Sequence, residues 1–385
     1  MVPKAAALSA DLYGGTSGVA LFLGELFGQT GETKFRRAAI GAINQAIHQS
    51  KSQSHDPQGA SPLSFFSGSL GVAYVGCLLA KLTSCEEVFD LAIMLLRLVR
   101  ERQRASRPLD LIGGNAGAIP ALLALDRMGV GEGCRELATS LAEEICENAT
   151  RENNFAIWQP KITSGADVAS APLTGFAHGA AGIGLALLKA YAETARRDFL
   201  EYARLAFAYE DAHFNPALGN WPDFRHVSEA GKGTPYAVAW CHGAAGISLS
   251  RLCAMSLDPA RRDALATEAR AGLRTTIDAV FHRTRQGFQD ATLCHGVAGL
   301  NEVLLTGGIV LGEEGYVDQA RNTALDLIDR HSTKENWPTG TGGPTPSLML
   351  GTAGIGHHLL RINAPRDVPM ILALTQRRPA GSAHI

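Results

Sequence analysis

The sequence predicts an all-α fold, an α/α toroid in which seven helical hairpins make a double ring of seven inner and seven outer helices. Three observations predict it. A Gly-x-x-Gly step recurs seven times along the chain, apolar segments of helical period follow the steps, and few stretches show strand-like alternation.

The glycine pairs are Gly15/Gly18, Gly68/Gly71, Gly114/Gly117, Gly179/Gly182, Gly243/Gly246, Gly296/Gly299 and Gly351/Gly354, with successive copies 46 to 65 residues apart. With 42 glycines in the chain, chance alone supplies ~4–5 such steps, against an ordinary glycine content of ~7%. Context therefore carries the repeat. A Leu-Leu pair follows the second glycine at one offset in four copies, Leu122-Leu123, Leu187-Leu188, Leu304-Leu305 and Leu359-Leu360. AGIGLALLKAYAETARRDFLEYA, after the fourth step, and LAIMLLRLVRERQR, between the second and third, combine helical spacing with good helix formers. About 50 residues per repeat accommodate two helices and two connections. The glycines are expected to let the backbone turn tightly into each inner helix where the seven repeats converge. The simplest role for most of them is packing alone.

At 385 residues the chain exceeds most single domains, and two would be the default. The repeat runs from end to end, so residues 1–385 are expected to form a single α/α barrel domain. Hydrophobic residues are 46% and charged residues 19%, a globular composition rather than a disordered one. A net charge of −2 gives no electrostatic case for nucleic acid or an anionic membrane. No long apolar core follows Lys4 and no long uncharged apolar run occurs, so neither a secretory signal nor a membrane span is expected. Three polar, Gly/Pro-rich breaks, at 50–62, 211–235 and 331–346, are either binding surfaces or plain connections.

Seven cysteines are present. Cys77, Cys85, Cys134, Cys146 and Cys253 lie in apolar helical segments and read as free thiols of a reduced cytoplasm. Cys241 and Cys294 differ, since each stands beside a histidine and a glycine step. The fourth copy reads GFAHGAAGI, with His178; the fifth AWCHGAAGI, with Cys241 and His242; the sixth TLCHGVAGL, with Cys294 and His295. In a ring these are neighbours. Two thiolates and one imidazole suit zinc and leave a fourth position open, as in catalytic rather than structural sites. Such a sulfur-rich shell favours a soft fourth ligand such as a substrate thiolate. The alternative is that these residues merely pack, and position alone leaves His242 a rival to His295. His178 is a candidate general acid or base. Asp110, four residues before Gly114, would orient it or simply cap a helix.

The pattern resembles the lanthionine synthetase C-like family, the cyclases of lanthipeptide biosynthesis. The resemblance runs from LYGGTSGVALFL near residue 12 to PSLMLGTAGIGHHLLRI near residue 362, and the WCHG and CHG steps are its most specific elements. GNWPDFR and PSLMLG look most like the cyclase portion of class II synthetases. The resemblance implies one zinc ion on Cys241, Cys294 and His295, with His178 and Asp110 catalytic. It implies a carbon–sulfur bond-forming cyclase that closes thioether rings. In that reaction a peptide cysteine thiolate adds to dehydroalanine or dehydrobutyrine of a dehydrated precursor peptide. Some members carry an arginine four residues before the first zinc cysteine; here that position is Ala237, so the role is absent or supplied elsewhere. A tyrosine found after that cysteine in a family variant is replaced by His242. No dehydratase region precedes Leu12, so the chain is expected to be an excised domain or a standalone cyclase working with a separate or fused dehydratase. Rival expectations are a zinc enzyme that adds glutathione to dehydrated residues and a zinc-stabilised peptide-binding module without turnover.

Overall fold

The computed structural model describes residues 7–52, 61–101, 107–152, 154–159, 171–225, 235–333, 337–340 and 343–374. Parts of the three polar breaks (53–60, 226–234, 334–336 and 341–342) and the N-terminal segment around Lys4 lie outside the described residues.

A helix follows each of the seven glycine steps: α1 Thr16–Thr30, α3 Ser69–Thr83, α5 Asn115–Arg127, α7 Ala180–Thr194, α9 Ala244–Ala254, α11 Val297–Leu311 and α13 Thr352–Asn363. Between them run α2 Thr33–Ser52, α4 Glu86–Glu101, α6 Cys134–Glu147, α8 Arg197–Ala212, α10 Arg262–Arg285 and α12 Glu314–His331. Burial separates the two sets. In α3 every residue from Leu70 to Ala80 is buried, the mark of a helix surrounded by protein. In α4 only Val88, Ala92, Leu95, Leu96 and Val99 are buried, one stripe at helical spacing, with the other faces towards water. Each glycine-led helix packs on the next, and α13 packs back on α1, so the inner ring closes. A short antiparallel pair, β1 Thr150–Glu152 and β2 Phe155–Ile157, is inserted between α6 and α7.

The apolar run after Gly179 divides into α7 and α8, two helices as the repeat predicts: Ala195 adopts a left-handed conformation (φ 56°) and donates its N–H to Tyr191 O, ending α7. One detail departs from the sequence reading. The described residues hold seven inner but six outer helices. After α13 the chain carries Pro365 and Pro369, which lack the amides a helix needs. It turns inward instead, where Leu372 O accepts from Trp240 Nε1 at 3.2 Å and Leu374 O accepts from Lys189 Nζ at 3.3 Å. This end of the chain lines a small pocket with Phe66, Leu111 and Phe176, from the second, third and fourth repeats.

The glycine steps serve close approach more than backbone freedom. Of the seven first glycines only Gly243 has a positive φ (73°). Instead, a Cβ on the second glycine of every step would land 1.8–2.5 Å from the carbonyl oxygen six residues earlier, from Leu12 O against Gly18 to Leu348 O against Gly354. The connecting turn wraps over the helix start, and only a hydrogen fits beneath it. Gly117→Ala, whose Cβ would lie 2.0 Å from Leu111 O, is expected to destabilise the fold by at least about 1–3 kcal/mol. Gly41→Ala, in α2 with nothing within 4 Å, should stabilise it by about 0.5–1 kcal/mol. Urea unfolding of the two variants checks the contrast.

Candidate metal and proton-transfer site

The seven turns that lead into the inner helices are stitched together. The residue two before the first glycine of each step is Tyr13, Phe66, Ile112, Ala177, Cys241, Cys294 or Met349. Backbone bonds join these equivalents in sequence: Tyr13 N to Phe66 O at 2.8 Å, Ile112 N to Ala177 O at 3.3 Å, Ala177 N to Cys241 O at 3.0 Å, Cys294 N to Met349 O at 3.0 Å and Met349 N to Tyr13 O at 3.0 Å. Side chains bridge the two remaining gaps. Ser64 Oγ donates to Ile112 O at 2.6 Å, and Arg283 of α10 donates to Val238 O at 2.8 Å and to His295 O. The gap between the fifth and sixth turns, where Arg283 stands in for the missing backbone bond, is where the candidate ligands meet.

Cys241 of the fifth turn and Cys294 and His295 of the sixth bring two sulfurs and a ring nitrogen within 4.8 Å of one another. Cys294 Sγ lies 3.6 Å from His295 Nε2. Both cysteines are buried, whereas His295 is exposed, so one side of the trio opens to solvent. The thiols ionise unequally. The hydrogen bond from Cys294 pulls Cys241 well below the usual thiol range despite burial, helped by His295 and Arg225. Sharing that proton, together with burial, pushes Cys294 well above it. His295 is raised, chiefly by its hydrogen bond to Cys241.

Position fixes the fifth turn firmly. Asn220 Nδ2 donates to Ala237 O at 3.1 Å, and its Oδ1 accepts from Ala244 N at 2.8 Å, bracketing Cys241 and His242. Glu210 of α8 does the same for the fourth turn, its Oε1 accepting from Gly175 N and Ala181 N at 2.9 Å each, on either side of His178. Burial pushes the Glu210 carboxyl up to about 7.

His178 Nδ1 lies 2.7 Å from Asp110 Oδ2. The carboxylate accepts, so Nδ1 carries a proton and Nε2 is left for a further partner. Burial works to lower the His178 pKa, but the hydrogen bond and charge of Asp110 outweigh it and raise it above 6.5. Asp110 does not cap α5, whose N-cap Gly114 takes no side-chain bond, but it braces the turn that leads into the helix. Its Oδ1 accepts from Gly113 N at 2.7 Å, as Asp11 Oδ1, at the same register of the first repeat, accepts from Gly14 N at 2.7 Å. Asp110 adds the second contact, to His178. His242 stands apart from that trio. It is buried, stacks on His178 with ring centroids 5.8 Å apart, and is pushed to about 3 by burial and the charge of Arg225.

Sequence reasoning missed several neighbours. Arg225, forked onto Asp223 with Nη2 2.6 Å from Oδ2, acts electrostatically on Cys241, Cys294 and His178, supplying positive charge that Ala237 does not. Tyr13 donates its hydroxyl to Cys294 Sγ at 2.9 Å. Aligning the repeats on their glycines would have flagged Tyr13, which shares a register with both cysteines.

The family model for lanthionine synthetase C-like protein matches residues 6–373, and the chain belongs to that family. The lacticin 481/lactococcin biosynthesis protein LcnDR2 of Lactococcus lactis subsp. lactis is 24% identical over 200 residues, 49% of this chain. The match spans a fifth (20%) of that protein's length. Among solved structures, nisin cyclase aligns over 96% of this chain and 93% of its own with a TM-score of 0.71 and 18% identity, a likeness of fold. The α/α toroid read from the glycine steps is the fold of this neighbour. Among the described residues no helix is long and apolar enough to cross a membrane.

Proposed function

We propose that this chain is a zinc-dependent lanthipeptide cyclase that closes lanthionine and methyllanthionine rings in a dehydrated precursor peptide. The observation that carries the reading is the convergence of Cys241, Cys294 and His295 from two separate turns, beside the His178–Asp110 pair.

The donor set fits zinc. Bond lengths of ~2.3 Å to sulfur and ~2.0–2.1 Å to nitrogen put tetrahedral ligand atoms roughly 3.5–3.8 Å apart, and Cys294 Sγ to His295 Nε2 is 3.6 Å. Two sulfurs that share one proton also leave a place for a cation to replace it. Cys241, Cys294 and His295 would hold the ion, with one position free on the exposed side of His295. Zinc bound there lowers the pKa of a substrate cysteine thiol, so that its thiolate exists at neutral pH.

The protein's own groups handle the rest. In the ring closure a carbon–sulfur bond forms at the β-carbon of the dehydro residue. The π electrons move towards the α-carbon and its carbonyl oxygen. Arg225 is the cation that offsets that negative charge. His178, protonated at Nε2, gives its proton to the α-carbon, and Asp110 holds the ring and stabilises the imidazolium. A dehydratase, fused or separate, must first supply the dehydro residues. Ligand thiols stay reduced in the cytoplasm, which is the proposed location.

Incubation with dehydrated precursor peptide tests the reading. The expected product has unchanged mass and no thiol left for an alkylating reagent, with or without glutathione. A product heavier by glutathione favours thiol addition in trans instead. Thiols that stay fully reactive, with no adduct, leave only a binding role.

A further inference from the structure

We infer that Tyr13 is a positioning residue of the metal centre, whose hydroxyl donates to the Cys294 sulfur and tunes that sulfur as a ligand. The inference rests on the proposed zinc site. Tyr13 O accepts from Met349 N and Met349 O accepts from Cys294 N, each at 3.0 Å, so two backbone hydrogen bonds link the first, seventh and sixth turns. Across that link the Tyr13 hydroxyl reaches Cys294 Sγ at 2.9 Å, between residues 281 apart in sequence. Tyr13 N, bonded to Phe66 O at 2.8 Å, anchors the other side.

A phenol is a good donor at neutral pH, and a ligand thiolate is a pure acceptor. The bond stabilises the lone pairs of the sulfur and weakens their donation to the metal. Outer-shell contacts of this kind orient ligands and set their basicity. The two sulfurs of the trio are then unequal, since among the described hydrogen bonds only Cys294 receives a tyrosine. A sulfur that donates less leaves more positive charge on the ion for an incoming substrate thiol. Tyr13 thus closes the ring mechanically and connects that closure to the chemistry of the site.

Tyr13→Phe keeps the ring in place and removes the hydroxyl. The cobalt(II)-substituted protein gives the readout, because sulfur-to-cobalt charge-transfer bands report the energy of the thiolate lone pairs. In Tyr13→Phe these bands are expected to move to longer wavelength. Zinc affinity, measured against a chromophoric chelator, should rise, because the freed lone pairs of the sulfur donate more fully. The thermal melt of the metal-free variant serves as the control and should match that of the metal-free parent. Bands and affinity both unchanged in Tyr13→Phe, while Cys294→Ala abolishes the bands, would overturn the role of Tyr13 and leave the zinc site standing. Bands of undiminished intensity in Cys294→Ala would overturn both, since Cys294 would not be a ligand. A melt lowered with bands unmoved would assign Tyr13 a structural role and likewise overturn the inference.

Discussion

Cys294→Ala is expected to lose its zinc and to close no rings above the uncatalysed background, while remaining folded. Cys294 supplies one of two sulfurs in a set of three donors, and Cys241 and His295 alone make a two-ligand site. Such a site loses the tetrahedral closure that holds zinc in a protein. The fold should survive because the stitching of the sixth turn uses the backbone N–H of Cys294, bonded to Met349 O, and not its sulfur. Truncating one buried thiol leaves a small void and an unpaired Tyr13 hydroxyl, with a cost to stability of about 1–3 kcal/mol. Metal analysis by mass spectrometry, thermal melting and thiol alkylation of the product peptide together report the outcome. Full zinc content with intact ring formation would sink the assignment of Cys294.

His178→Ala is expected to keep its zinc but slow ring closure by about 10²–10⁴-fold, the usual weight of a positioned acid or base. It lies outside the ligand trio, so metal content separates this loss from that of Cys294→Ala. Asp110→Asn tests the same step through pH. In the parent protein Asp110 raises the His178 pKa. With the imidazolium as the proposed proton donor, the rate is expected to fall as pH rises through that pKa. Without the carboxylate, burial and the charge of Arg225 outweigh the smaller opposing charge of Cys241 and lower the pKa. The fall in rate should therefore move to lower pH in Asp110→Asn. A limb that stays where it was, or moves upward, would remove His178 as the acid. The rival binding module expects no change in any activity from His178→Ala.

The ring was legible in the sequence because the same steric problem recurs at every repeat. Each inner helix starts beneath a carbonyl oxygen that tolerates only glycine, so the solution is written seven times. The break at Ala195 was not legible, since alanine favours helix and rarely takes the left-handed conformation that ends α7 here. The inward run of residues 364–374 was equally hidden, because its partners Lys189 and Trp240 lie in distant repeats.

Within the site, chemistry was easier to read than support. Cysteine and histidine beside the glycine steps advertise themselves, whereas Asn220, Glu210 and Arg283 are ordinary residues until their partners are known. The choice between His242 and His295 shows the limit best. Both follow a cysteine and precede a glycine in nearly identical strings. The difference lies in the fifth turn, where Gly243 has a positive φ and Ala239 N donates to His242 O at 3.0 Å. His242 is buried there against His178, while His295 stays exposed beside both sulfurs.

X-ray absorption at the zinc edge of the purified protein tests the proposed centre most directly. One equivalent of zinc is expected, with two sulfurs at ~2.3 Å and two lighter atoms at ~2.0–2.1 Å, one of them the His295 nitrogen and the other a water. A shell of nitrogen and oxygen alone, or protein that binds no zinc when it is supplied, would contradict a metal held by Cys241, Cys294 and His295.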